Sequence, residues 1–149
     1  MTKGGPKMVG ANETHRGRCL CGALRFEARG KPLWVAHCHC QSCRRNTGSA
    51  FATFVGFASE GFTYVAGAPE TYASSPGVTR SFCGRCGTPL TYQAERYPGE
   101  VHVYVCTLDR PQDFVPRAHV HTGEQLPWLH LDDGLPRYLT TSGDGEPLP

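Results

Sequence analysis

The sequence predicts an all-β domain that leans on bound metal for part of its stability. Three observations carry that expectation. Apolar residues recur at every second position in several short runs, which is the period of a half-buried strand. No stretch of ten or more residues shows a helical apolar stripe. Eight cysteines stand in a chain of 149 residues, far more than a reduced protein of this size needs for packing. Eighteen glycines and twelve prolines supply many turns without reaching a disordered composition.

Residues 1–15 are polar and glycine-rich and are expected to form a flexible N-terminal segment. A single domain is expected over residues 16–140. Its first strand is the run in which Leu24, Phe26 and Ala28 alternate with Arg25 and Glu27. Trp34, Val35 and Ala36 form a second short strand that leads into Cys38. Residues 42–46 can close one helical turn, which Gly48 ends. Residues 50–57 are aromatic and β-branched, and residues 62–65 follow a Ser59-Glu60-Gly61 turn, so the pair reads as a hairpin. Residues 79–82 enter the turn at Cys83 and Cys86, and residues 88–93 leave it. Val101, Val103 and Val105 alternate with His102, Tyr104 and Cys106. Pro111 and Pro116 precede a short strand over residues 118–121, and residues 141–149 form a polar, flexible tail.

Composition narrows the function classes. Fifteen basic against thirteen acidic residues leave a formal charge of +2, and Arg44-Arg45 is the one adjacent basic pair, so nucleic acid is not an expected partner. No run approaches the ~20 apolar residues of a membrane span. Residues 1–18 lack the apolar core of a secretory signal, so the expected location is cytoplasmic. Short exposed strand edges are compatible with a homodimer.

That location bears on the cysteines, because cytosolic thiols are kept reduced. Seven of the eight fall in three tight groups: Cys19 and Cys21; Cys38, Cys40 and Cys43; Cys83 and Cys86. Disulfide frameworks tend to spread their cysteines, whereas a metal needs several thiolates around one centre. Redox thiols are the competing reading. Zinc suits a sulfur-rich tetrahedral site, and an iron–sulfur cluster uses four thiolates too.

Two pairs make four ligands. Cys19 and Cys21, two apart on an extended strand, face the same way, and Cys83 and Cys86 sit in a knuckle with Gly84 and Gly87. This is the set for a closed structural zinc. Cys38, Cys40 and Cys43 offer three thiolates, the number that leaves a catalytic zinc one exchangeable position. The alternative is a closed second site completed by Cys106, His37, His39, His119 or His121. Two zinc ions per chain are expected in either case.

The segments Gly17-Arg18-Cys19-Leu20-Cys21-Gly22, Cys38-His39-Cys40-Gln41-Ser42-Cys43-Arg44 and Phe82-Cys83-Gly84-Arg85-Cys86-Gly87 together resemble the three signatures of the GFA family. That family includes glutathione-dependent formaldehyde-activating enzyme and centromere protein V-like domains. Weaker likeness extends through Thr107-Leu108-Asp109, Pro127-Trp128 and Asp133-Gly134-Leu135-Pro136, so it covers about residues 15–139. The resemblance implies a β-tent, two splayed antiparallel sheets around a structural zinc. It implies Cys19, Cys21, Cys83 and Cys86 for that zinc and Cys38, Cys40 and Cys43 for a second, reactive one. It implies a carbon–sulfur lyase activity that forms or cleaves S-hydroxymethylglutathione. Cys106 departs from the small residue expected at its position.

The chemistry expected of such an enzyme joins a thiol to an aldehyde. Three thiolates leave a zinc site with a net negative charge, which favours a bound nucleophilic thiolate over carbonyl activation. Arg44 and Arg45 are candidates for pairing with the carboxylates of a glutathione-like thiol. His39 is the nearest candidate proton carrier, followed by His102 and His119. The competing reading is a zinc-stabilised module that binds a thiol, an aldehyde or a protein without turnover.

Overall fold

Alternation in the sequence becomes alternation in burial: Leu24, Phe26 and Ala28 are buried, while Arg25 is exposed. The structure, a computed structural model, describes residues 12–149. Among them are strands β1 (Thr14–Arg18), β2 (Arg25–Arg29), β3 (Trp34–Cys38), β4 (Ala52–Ala58), β5 (Phe62–Ala66), β6 (Glu70–Ser75), β7 (Val78–Phe82), β8 (Pro89–Ala94), β9 (Glu100–Tyr104) and β10 (His119–Val120). One α-helix, α1 (Gln41–Thr47), and four 3-10 turns complete the regular structure. The strands form two sheets, and the all-β expectation holds. The chain divides into two compact units, one comprising residues up to Leu33 with Val55–Val115, the other Trp34–Phe54 with Pro116–Pro149.

In the first unit, β1, β2 and β5 form an antiparallel sheet in that order. The hairpin expected between residues 50–57 and 62–65 does not form, because β5 pairs with β2, with Phe26 opposite Tyr64. The 3-10 turn Ser59–Gly61 redirects the chain, and a side chain at Gly61 would stand 2.5 Å from the Arg29 carbonyl oxygen. The reward is aromatic packing: Phe62 stacks on the fully buried Phe26 at 5.2 Å. Strand β1 begins at Thr14, inside the segment expected to be flexible; residues 1–11 of that segment lie outside the described residues. Its polar sequence gives no alternating signal, and its pairing with β2 makes it a strand.

The same unit holds β6, β7, β8 and β9 as successive antiparallel neighbours. The β7–β8 hairpin closes on Cys83–Cys86, as the sequence indicates. Strand β9 departs from simple alternation, because His102 and Tyr104 are buried as well as Val101 and Val103. Each polar group there is matched. His102 stacks on Tyr92 and meets Glu100 at 2.9 Å, and Arg80 donates to the Tyr104 hydroxyl at 3.0 Å.

In the second unit, β10 runs parallel to β3, with His119 opposite His37 and Val120 opposite Cys38. An isolated bridge of His119 with Arg137 is parallel too. Helix α1 extends beyond the single expected turn. The Cys40 sulfur caps its start by accepting from the Cys43 amide, and Gly48, at φ 66°, closes its end. Residues 141–149 run through turns and bends, and the Leu148 amide donates to the Arg137 carbonyl. Among the described residues no helix is long and apolar enough to cross a membrane.

Gly17 tests the packing of the first unit. A Cβ there would lie 2.6 Å from the Thr107 carbonyl oxygen and closer still to the Phe26 ring. Gly17→Ala is expected to cost about 1–3 kcal/mol by overpacking, read as a lowered urea midpoint with unchanged slope.

Candidate metal centres

The first centre lies within the first unit. The ligand atoms of Cys19, Cys21, Cys83 and Cys86 all lie within 4.8 Å of one another. Sulfur separations of 3.6 Å for Cys19–Cys21 and 3.8 Å for Cys21–Cys83 match the edges of a tetrahedron around one ion. The Cys19–Cys21 pair sits in a turn rather than on a strand: β1 ends at Arg18, and the Gly22 amide donates to the Cys19 carbonyl. Gly22, at φ 78°, makes that turn accessible. The facing knuckle is closed by Gly87, whose amide donates to the Cys83 carbonyl at 2.8 Å. Gly84 serves differently, because a Cβ there would stand 2.7 Å from the Glu70 side chain.

Polar groups around these sulfurs favour thiolates. The Leu24 amide donates to Cys19 Sγ at 3.2 Å, and the Thr88 hydroxyl lies 3.1 Å from Cys86 Sγ. Hydrogen bonds from Thr88 and from the Cys21 amide bring the Cys86 thiol down to about 5. The Ala23 amide lowers Cys21, yet desolvation and the neighbouring sulfurs outweigh it and raise that thiol to about 11. Four sulfurs this close resist ionising together unless a cation compensates them, so the donor set fits a zinc ion.

The second centre lies within the second unit. Cys38 ends β3, Cys40 caps α1, and Cys43 is buried in the helix's first turn. One strand-to-helix corner therefore gathers all three ligand atoms within 4.8 Å of one another. Contacts with Cys38 and Cys43 hold the Cys40 thiol far below the ordinary range, while those with Cys40 and Cys43 push Cys38 far above it. Three thiols this close also resist ionising together unless a cation compensates them, so this donor set fits a cation as well. Among the described residues the cluster contains no fourth ligand atom, and Cys106 joins none of the clusters. Cys106 is exposed at a pocket of about 380 Å³ that it shares with Arg18, Cys19, Leu20 and Thr88.

The candidate substrate contacts flank Cys43. Arg44 is half-buried and donates to the His39 carbonyl at 3.3 Å and the Glu124 carbonyl at 3.1 Å. Arg45 is exposed on α1.

His39 is fully buried. Its Nε2 lies 2.9 Å from Nδ1 of the equally buried His119, whose Nε2 lies 2.9 Å from the Asp133 carboxylate. Nδ1 of His39 has no hydrogen-bond partner among the described residues. Burial, with His119 and Arg137 nearby, lowers the His39 imidazole to about 4, so it is neutral at pH 7. Sequence reasoning missed Asp133 as a partner of His119. The missing signal was the pairing of residues 136–138 with His119, whose amide donates to the Pro136 carbonyl.

A four-thiol knuckle, with three further thiols on a strand-to-helix corner, defines a small β-protein carrying two cysteine clusters that could hold metal ions. The chain belongs to the GFA family, whose model, described as glutathione-dependent formaldehyde-activating enzyme, matches residues 14–124. It is 32% identical over 134 residues to an uncharacterized lyase of Schizosaccharomyces pombe, an alignment covering 75% of this chain and 93% of that protein. It also resembles a crystal structure of a Rhodobacter sphaeroides protein, with TM-score 0.56 and 28% identity over 68% of this chain and 97% of that one.

The two thiolate centres are expected to respond differently to mutation. Cys83→Ser should unfold the first unit, because a structural zinc contributes about 10–16 kcal/mol, as much as an ordinary domain's whole stability. Cys40→Ser should leave far-UV circular dichroism and cooperative unfolding in place while removing one thiolate-bound ion. Equal unfolding by both variants would make the second centre structural too.

Proposed function

We propose that the protein is a zinc-dependent carbon–sulfur lyase-type enzyme that forms and cleaves the adduct of a glutathione-like thiol with formaldehyde. The observation that carries this reading is the three-thiol corner of Cys38, Cys40 and Cys43 in a chain of the GFA family. Cys38, Cys40 and Cys43 would hold a zinc ion that leaves a fourth position and would there lower the pKa of a substrate thiol. The three protein thiolates exceed the ion's charge by one. Their electron density would keep a substrate sulfur nucleophilic and make the centre a poor activator of carbonyls. In the forming direction a sulfur electron pair makes the new S–C bond to the aldehyde carbon, and the thiol proton ends on the aldehyde oxygen. The lyase direction breaks that S–C bond and returns the proton to sulfur.

The chain's own residues hold the thiol. Arg45, exposed on α1 two residues after Cys43, is assigned to a carboxylate of the peptide thiol. Arg44 spans two backbone carbonyls and orients the corner, so its truncation acts on geometry before charge. His39 is assigned a positioning role: a neutral, fully buried imidazole that holds His119 is poorly placed to pass a proton to substrate.

Exchange NMR on formaldehyde and glutathione at equilibrium with their adduct tests the proposal. The protein should accelerate exchange, Cys40→Ser should abolish the acceleration, and Arg45→Ala should raise KM by roughly 3–10-fold with little change in kcat. Thermal stabilisation by glutathione without faster exchange would instead identify a binding module, and no response to any thiol would overturn both readings.

A further inference from the structure

We propose that His37, His119 and Asp133 form a third metal site, distinct from both cysteine centres, for a divalent first-row transition ion such as zinc. All three residues lie in the second unit, and their ligand atoms lie within 4.8 Å of one another. The parallel pairing of β10 with β3 creates the juxtaposition by setting His119 opposite His37. Their rings stand 4.9 Å apart, tilted by 34°. Successive residues on a strand face opposite sides, so His37 projects away from the face that carries Cys38. The two sites therefore share a strand without sharing a side.

The surroundings of each imidazole are those of a ligand. A metal-binding histidine uses one ring nitrogen for the ion and fixes the other with a hydrogen bond. Nδ1 of His37 lies 2.8 Å from the Thr53 hydroxyl, and Nδ1 of His119 lies 2.9 Å from Nε2 of His39. Nε2 of His37 is then left for an ion, while Nε2 of His119 already meets the Asp133 carboxylate, a contact that an ion bound between them would replace. The carboxylate is fixed as well, its Oδ1 accepting from the Leu135 amide at 3.1 Å, and it lies 2.9 and 3.1 Å from His119 Nε2. Phe51 packs its edge against His37 at 5.0 Å and limits ring rotation.

Donor chemistry sets the class of ion. Two imidazoles and one carboxylate suit borderline ions such as zinc, not the all-oxygen shells of calcium or magnesium. His119 is fully buried, whereas the Asp133 side chain is 38% exposed, so the carboxylate side is the entrance and leaves coordination positions toward solvent. With one anionic ligand the site keeps a net positive charge, the opposite of the three-thiolate centre. An ion there is a Lewis acid open to an oxygen or nitrogen ligand.

Cobalt(II) titration of the full chain tests the site independently of the proposed enzyme activity. Two equivalents should develop thiolate-to-metal charge-transfer absorption from the cysteine centres. A third should add ligand-field absorption without further charge transfer, because it meets no sulfur. Asp133→Asn, at an exposed position, and His37→Gln should each remove the third equivalent and leave the thiolate bands unchanged. Thr53→Val should weaken the third equivalent about 10–100-fold through loss of the supporting hydroxyl. Saturation at the thiolate-bound ions, or a third equivalent retained at full affinity in both Asp133→Asn and His37→Gln, overturns the assignment.

Discussion

The first unit depends on the meeting of two turns that stand 62 residues apart at Cys21 and Cys83. One follows β1 and the other joins β7 to β8, and Cys19 and Cys83 are both buried where they meet. Closing a loop of that length costs about 4 kcal/mol of chain entropy. A metal held by four thiolates more than offsets the cost, while sulfurs left to share protons do not. Phe26, Phe57 and Leu90 are fully buried in the same unit and supply its apolar core. Glycine is required at two places for different reasons: Gly22 turns the backbone, and Gly84 admits Glu70.

The second centre is built by the opposite strategy. Cys38, Cys40 and Cys43 are neighbours in sequence, so a strand ending and a helix beginning are enough to assemble them. Local assembly leaves the fourth position to whatever approaches the corner. The first cluster joins distant parts of the chain, and the second is the one for which chemistry is proposed. On the proposed assignments, the net charges would divide the labour between sulfur and nitrogen sites, the first favouring a bound nucleophile and the second an electrophile.

Legibility in the sequence followed range. Spacing alone grouped the cysteines, because ligand pairs lie within a single turn; alternation located β2, and the turn at Cys83 and Cys86 located the β7–β8 hairpin. Pairing was harder to read. Residues 62–65 look like the partner of residues 50–57, yet the stacking of Phe62 on Phe26 draws β5 to β2. Strand β1 is polar and carries no periodic signal, and β9 is buried on both faces because His102 and Tyr104 find partners there. The His119–Asp133 contact joins residues 14 apart across irregular chain, and only the parallel β10–β3 register brings His37 to it. Local chemistry shows in a sequence, whereas register between distant strands emerges from packing.

The central claim is that the Cys38, Cys40 and Cys43 centre accepts a substrate sulfur. X-ray absorption at the zinc edge measures it directly, since zinc–sulfur contacts near 2.3 Å are counted whatever the rate of turnover. Glutathione added to the zinc-loaded protein should raise the mean number of sulfur neighbours per zinc, and S-methylglutathione, which lacks the thiol, should not. An unchanged sulfur count at saturating glutathione would contradict the account.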